Sequence, residues 1–245
     1  MPLSSTKGLV LGSSLINEQD KLVFLLTLDR GIIRAIAPGA ARGRNRFGSL
    51  FELFTAGDFQ YYWNEEKERI TLTQGEITWS FFPVVSRPEN IFYFYLVAEI
   101  VLKLVPYHQC DQRIYRLLMA ILKTREEGAG IDFLVLYFLI WILKIEGLLF
   151  QPDVCANCQA RDLQRAWIRD DFRGILCPKC KRNERLMLAG NDLRFIRWAL
   201  THSPAQWKDW VEAVPKARLI RLLIRQIEYH GEFTLKTTLY LPECR

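Results

Sequence analysis

Histidine is scarce in this chain, with three in 245 residues. His108, His202 and His230 stand alone, with no recognisable motif around any of them. There is no Gly-Lys-Ser/Thr loop to cradle phosphates and no Gly-x-Ser-x-Gly elbow to expose a nucleophile. Carboxylates are scattered and mostly interleaved with bases. These absences remove the common catalytic constellations and predict a protein that is not an enzyme. A long apolar segment is missing too. The longest run, Phe133 to Leu143 (FLVLYFLIWIL), has 11 residues, whereas a membrane span needs about 20. Asp132 closes it on one side, and Lys144 and Glu146 on the other. It reads as a helix buried inside a bundle, away from any membrane. The opening Met-Pro-Leu-Ser-Ser-Thr-Lys-Gly lacks the apolar core of a secretory signal. No internal repeat or low-complexity tract is present.

Cysteine is sparse as well, with six residues, but four of them are paired. Cys155-Ala-Asn-Cys158 and Cys177-Pro-Lys-Cys180 are separated by 18 residues. Two Cys-x-x-Cys turns at such a gap offer four thiolates at the corners of a tetrahedron, the donor set of a structural Zn²⁺ site. Four thiolates fill the shell, so no position stays open for water or substrate. Two disulfides would need an oxidising compartment, and a redox pair would need a βαβ unit that the pattern does not contain. An iron centre takes the same ligands and stays open as an alternative. Cys110 and Cys244 read as lone thiols. Thiols beside a thiolate metal site predict a reducing cytoplasm.

Residues 1–80 read as β. Gly8–Leu11, Lys21–Leu28, Gly31–Ala37, Asp58–Trp63 and Arg69–Ile77 are short strand-forming runs, with turns at Asp29-Arg30-Gly31 and Asn64–Glu68. Five strands in about 80 residues suggest an OB-fold, a small five-stranded barrel. Along strand four, Phe59, Tyr61 and Trp63 share one face and Tyr62 the other. That face is expected mostly to fill the barrel, although exposed rings there would stack on bases.

After Pro83 a helical period sets in, with Ile91, Phe94, Tyr95, Ala98, Val101 and Leu102 on one face. Further helices are expected at about 111–126, 132–146, 192–200, 205–214 and 215–229, Pro215 serving as a first-turn residue. The expected class is therefore α+β: a barrel domain over 1–80, then a helical domain over 81–245 with the cysteine module of 150–185 inserted in it.

The net charge is +6, which suits an acidic partner. Its distribution says more. Between Arg30 and Phe47 stand Arg30, Arg34, Arg42, Arg44 and Arg46 with no acid among them. The stretch from Pro38 to Arg46 combines arginine forks, which match phosphate oxygens, with glycines that allow close backbone approach. On a barrel of this class it predicts contact with nucleic acid. Arg169, Arg173, Lys179 and Lys181 around the cysteines, and Arg218, Arg221 and Arg225 at i, i+3, i+7 on the last helix, form a possible second basic surface.

In their order, these parts resemble the RecO family of bacterial recombination mediators over essentially the whole chain. The resemblance rests on Lys7-Gly8-Leu9-Val10-Leu11, Asn17 to Val23, Leu26-Thr27…Gly31, the basic loop Pro38 to Arg46, Leu72-Thr73-Gln74-Gly75-Glu76, and the two cysteine pairs after an apolar helix. It implies DNA contact through Lys21, Arg30, Arg34, Arg42, Arg44 and Arg46, with zinc as a stabiliser held by Cys155, Cys158, Cys177 and Cys180. It implies binding of single- and double-stranded DNA, strand annealing, and function in the bacterial cytoplasm at the nucleoid. The implied partners are RecR and the C-terminal tail of single-strand-binding protein, with loading of RecA as the outcome. The chain departs from the family pattern at Pro38, where a lysine is frequent, and at Asn45, where a serine is expected. Each departure weakens one possible phosphate contact of the loop, and its three arginines remain. An RNA-binding or transcription-linked zinc-ribbon protein is the alternative reading of the residues alone.

Overall fold

The computed structural model of the chain describes residues 3–64, 66 and 69–241. Cys244 and most of the acidic stretch of the Asn64–Glu68 turn lie outside these residues. The chain divides into two compact units, Met1–Arg116 and Leu117–Arg245.

The first unit is built on a closed five-stranded barrel. Its strands are β1 (Leu3–Leu15), β2 (Lys21–Thr27), β3 (Gly31–Ala37), β4 (Thr55–Asn64) and β5 (Arg69–Ser80). Their order is β1-β2-β3-β5-β4, and β4 pairs back onto β1, as an OB-fold requires. Every pairing is antiparallel except β3 with β5, which is parallel and covers Ala35–Ile70 and Ile36–Thr71. β1 and β4 run longer than their apolar stretches. The polar start of β1, Leu3 to Lys7, is held by backbone pairing with β4. A bulge between Val10 and Gly12 then turns the strand.

The barrel core is Val10, Val23, Leu25, Ile33, Ala35, Phe59, Tyr61, Ile70 and Leu72, plugged by Ala40, Phe47, Leu50 and Phe51 from the segment between β3 and β4. Phe59 and Tyr61 are therefore core, and Tyr62 is exposed. Leu50 has a place because β4 and β5 carry glycines beneath it. A Cβ at Gly75 would lie 2.4 Å from Leu50 Cδ2, and one at Gly57 would lie 2.6 Å from the Glu76 carbonyl oxygen and 3.3 Å from Leu50 Cδ1.

α1 (Phe82–Val85) and α2 (Ile91–Leu104) follow β5. α2 buries Tyr93, Phe94, Leu96, Val97, Ala98, Ile100 and Val101. This arc is wider than the expected stripe, and Tyr95 lies outside it, exposed. The loop after α2 returns to the barrel. Tyr107 bridges to Ile32, and His108 N–H donates to the Ile32 carbonyl at 3.0 Å. The loop runs directly over Gly31, where a Cβ would fall 2.1 Å from the Gln109 carbonyl oxygen.

The division between the units falls within α3 (Gln112–Glu126). The second unit is centred on α4 (Ile131–Ile145), which buries Phe133 to Ile140, Ile142 and Leu143. Two aromatic residues of this helix, Tyr137 and Trp141, carry polar tips, and both find acceptors near the end of α5 (Gly190–Thr201). Tyr137 donates its hydroxyl to the His202 carbonyl at 2.9 Å, and Trp141 Nε1–H donates to the Ala199 carbonyl at 2.8 Å. Burial pushes the Tyr137 phenol up to about 12, partly offset by Trp141. No described helix is long and apolar enough to cross a membrane.

The helix expected over 205–214 does not form. A 3-10 turn spans Pro204–Asp209 and breaks at Gln206 (φ −85°, ψ 17°). The chain beyond it is extended and seats the Trp210 ring edge-on to Phe195 at 5.1 Å and to Trp198 at 5.9 Å. α6 (Lys216–Gly231) starts one residue after Pro215, which caps it.

Gly57→Ala is expected to cost about 1–3 kcal/mol, because the added methyl meets a strand carbonyl and a packed leucine. Urea unfolding of the variant against the parent chain checks this.

Candidate nucleic-acid surface and metal centre

The cysteine module lies between α4 and α5. Its frame is a three-stranded sheet of β6 (Ala166–Ile168), β7 (Ile175–Leu176) and β8 (Met187–Leu188), in the order β7-β6-β8. Strands of two and three residues are too short for any periodicity to announce them in sequence. Cys155 forms a bridge to Ile175 at the sheet edge, and its N–H donates to the Ala160 carbonyl at 2.8 Å. Gln159 N–H donates back to the Cys155 carbonyl, and Cys180 and Lys181 N–H to the Cys177 carbonyl, all at 3.0 Å. Each Cys-x-x-Cys is thus a closed turn.

The four sulfurs converge, and all lie within 4.8 Å of one another. Cys158 Sγ and Cys177 Sγ are 3.7 Å apart. A tetrahedral metal with bonds of about 2.3 Å to sulfur sets its ligands about 3.8 Å apart, so the cluster fits such an ion. Donors already point at the sulfurs: Cys177 N–H at Cys155 Sγ and Asn157 Nδ2 at Cys180 Sγ, each 3.3 Å. Burial raises the Cys155 thiol, but backbone N–H groups of Cys158, Cys177 and Asn157 outweigh it and bring it down to about 6. At Cys158 the Ala160 backbone lowers the thiol, and the sulfurs of Cys180, Cys155 and Cys177 overcome this and push it up to about 11. Crowded sulfurs resist sharing negative charge unless a cation stands among them.

Two side chains tie the module to its helices. Arg197 of α5 donates to the Pro152 carbonyl at 3.0 Å and pairs with Asp153 at 2.8 Å. The buried Gln226 of α6 donates its amide to the Leu148 carbonyl at 2.7 Å, just before the module, and to the Phe172 carbonyl within it at 3.5 Å.

The basic loop of the barrel is exposed at Arg42, Arg44 and Arg46, and anchored at both ends by the buried Ala40 and Phe47. Its geometry is set by the turn between β1 and β2. Asp20 Oδ1 accepts from Gly39 N–H at 2.8 Å, Gln19 O accepts from Ala41 N–H at 2.9 Å, and Arg42 donates to the Gln19 side chain. Asn45 is the loop's internal turn. Its Oδ1 accepts from Phe47 N–H at 2.9 Å and Gly48 N–H at 3.0 Å, and its Nδ2 donates to the Arg42 carbonyl at 2.9 Å. Arg34 stands exposed on β3, and Lys21 is half-buried at the start of β2. Arg30 pairs with Asp29 at 3.9 Å and lies over the Trp63 ring at 4.4 Å.

The second basic set is split by the structure. Arg169 is paired with Asp171 at 2.9 Å, and Arg218 with the buried Asp192, so both have structural partners. Arg173, Lys179 and Lys181 are exposed on the module. Arg218, Arg221 and Arg225 join Arg185 around a groove of about 500 Å³ floored by Leu186, Met187 and Leu222. Arg185 comes from the approach to β8, far from α6 in sequence, and only folding brings it to this stripe.

The family model for Recombination protein O N terminal matches residues 1–81, and that for Recombination protein O C terminal matches 85–239. Curated relatives named DNA repair protein RecO include one from Clostridium novyi (strain NT), 25% identical over 74% of this chain and 71% of its own length. Another, from Listeria monocytogenes serotype 4b, is 27% identical over 80% and 76%. A third, from Halalkalibacterium halodurans, is 28% identical over 71% and 67%.

The Gly39 N–H, then the Asn17 side chain, hold the Asp20 carboxyl below the ordinary carboxylate range. A lowered folded value contributes stability above the unfolded value of about 3.9, and loses it as pH falls through the folded one. The loop is therefore expected to stay anchored at neutral pH and to loosen below about pH 4. In Asp20→Ala, hydrogen exchange at neutral pH should accelerate at Gly39 and Ala41 while the β2 and β3 amides keep their protection.

Proposed function

The chain belongs to the RecO family, and from that membership together with its basic surfaces we propose that it is a DNA-binding recombination mediator acting in DNA repair. The observation that carries this reading is the acid-free arginine loop, held out from the barrel by the buried residues at its ends. Lys21, Arg30, Arg34, Arg42, Arg44 and Arg46 neutralise phosphates and release counterions, so two complementary strands can approach each other. Pairing energy then comes from the DNA, and no bond is made or broken by the protein. The reading assigns nucleic-acid binding to 1–80, and a helical domain carrying the 150–185 module to 81–245. It has the protein work in the bacterial cytoplasm with RecR, to load RecA on single strands coated by single-strand-binding protein. The groove of Arg185, Arg218, Arg221 and Arg225 has the charge and apolar floor to take the acidic tail of that coating protein.

Binding of duplex and single-stranded oligonucleotides across a salt series tests the loop. Replacing Arg42, Arg44 and Arg46 by Ala together should weaken binding and flatten the log–log salt slope by roughly two to three units. An unchanged slope removes the loop from the interface. On coated complementary strands, Arg221→Glu should lose annealing while naked strands still anneal. Equal loss on naked strands would place the defect in DNA contact instead.

The four cysteines would hold Zn²⁺ as a stabiliser, which when bound supplies charge neutralisation to four thiolates and an otherwise closed shell. Metal analysis should find one zinc per chain and none in Cys177→Ser, with a lower melting temperature. Retained one-to-one zinc in that variant overturns the assignment.

A further inference from the structure

The barrel carries an aromatic cleft apart from the arginine loop. Four side chains from three distant segments meet there: Arg34 from β3, Trp63 from the end of β4, and Tyr107 and His108 from the loop after α2. They surround a cavity of about 440 Å³, within the range of small-ligand clefts. Among the described residues no carboxylate lines it. The Trp63 and His108 rings are stacked, with planes 22° apart and centroids at 6.2 Å. Tyr107 is 41% exposed, and Arg34 and His108 are exposed too, so the cleft is reachable from solvent. Arg34 acts on the Tyr107 hydroxyl: burial raises the phenol, and the guanidinium charge opposes it.

The cleft is braced. The His108 N–H bond to the Ile32 carbonyl and the donation of Cys110 Sγ to the Leu28 carbonyl at 3.3 Å fasten the loop at His108 and two residues beyond it. His108 itself sits at φ +60°, a left-handed conformation that residues other than glycine seldom adopt. Arg30 over Trp63 brings a second guanidinium to the rim. Tyr107 and His108 are exposed, and Trp63 is half-buried with one side against the barrel core; rings so placed on a barrel that also presents phosphate-binding charge have one natural ligand chemistry, a base with its phosphate. The faces of paired bases are covered inside the duplex stack, so rings of this kind stack on unpaired bases.

Resting on the nucleic-acid reading above, the geometry points to this cleft as a stacking subsite for an unpaired base of single-stranded DNA, with Trp63, Tyr107 and His108 as the aromatic surface and Arg34 on the phosphate. It makes single-strand affinity depend on bases, where the arginine loop depends on charge alone.

Fluorescence anisotropy separates the two, using an oligo-dT strand, an abasic phosphodiester strand of equal length, and a duplex. The double substitution Tyr107→Ala with His108→Ala changes exposed residues and should leave melting unchanged. Its affinity for oligo-dT should fall roughly 5- to 150-fold, the equivalent of about 1–3 kcal/mol per stacked base, with the abasic strand and the duplex bound as before. Trp63→Phe should keep most of the oligo-dT preference and Trp63→Leu should lose it. Arg34→Ala should weaken all three ligands together. Parallel losses on all three in the double variant, or no loss on oligo-dT, would overturn the subsite while leaving the DNA reading intact. A parent chain that binds none of the three would remove the DNA reading itself.

Discussion

The first unit depends on Leu50. A five-stranded barrel has a bottom that must be filled, and here the segment between β3 and β4 fills it without forming a helix. Phe47, Leu50 and Phe51 reach up into the core, and Gly57 and Gly75 leave room for the Leu50 methyls. Once those residues are seated, the polar residues before them have nowhere to go but outward. The arginine loop is the outer side of the same packing decision. Its direction is then trimmed by Asp20 and Gln19 on the neighbouring turn.

A different constraint rules the second unit. α4 buries ten side chains, each contributing about 1.5–3 kcal/mol by removal from water. A helix so apolar has to be covered on all sides. Its two polar tips are satisfied near the C-terminal end of α5, where helix carbonyls lack intrahelical partners. The cysteine module occupies the connection between α4 and α5, and Arg197 and Gln226 fix both its entry and its body to the helices. Arg185 and Leu186, which lead into β8, and Met187, its first residue, line the arginine groove on one side. The groove therefore exists only when the module is folded.

Much of this was legible in the chain because it is local. The two cysteine turns, the arginine run, the apolar helix and β3, whose observed limits match its apolar run, each declare themselves within a few residues. Where the residues misled, a long-range contact had decided the outcome. The polar start of β1 is a strand because β4 needs a partner. The 205–214 segment leaves the helix because Trp210 finds an aromatic cluster. Asn45 has a local role that its residue type alone does not announce, as the turn that shapes the loop. The cleft of Arg34, Trp63, Tyr107 and His108 had no sequence signature, since its parts are joined only by the path of the chain over β3. The groove of Arg185 and α6 needs both in one place, which spacing alone does not supply.

The close passage of the α2–α3 loop over Gly31 has an evolutionary meaning. Backbone meets backbone there, with no side chain to shrink in compensation. Drift at position 31 is thereby coupled to the path of residues 107–110. A lineage can change a side chain of this loop without moving its backbone, but it can reroute the loop only together with the hairpin beneath it. The two segments should be inherited as a unit, and related chains with a different residue at this hairpin should show a different loop and a different cleft.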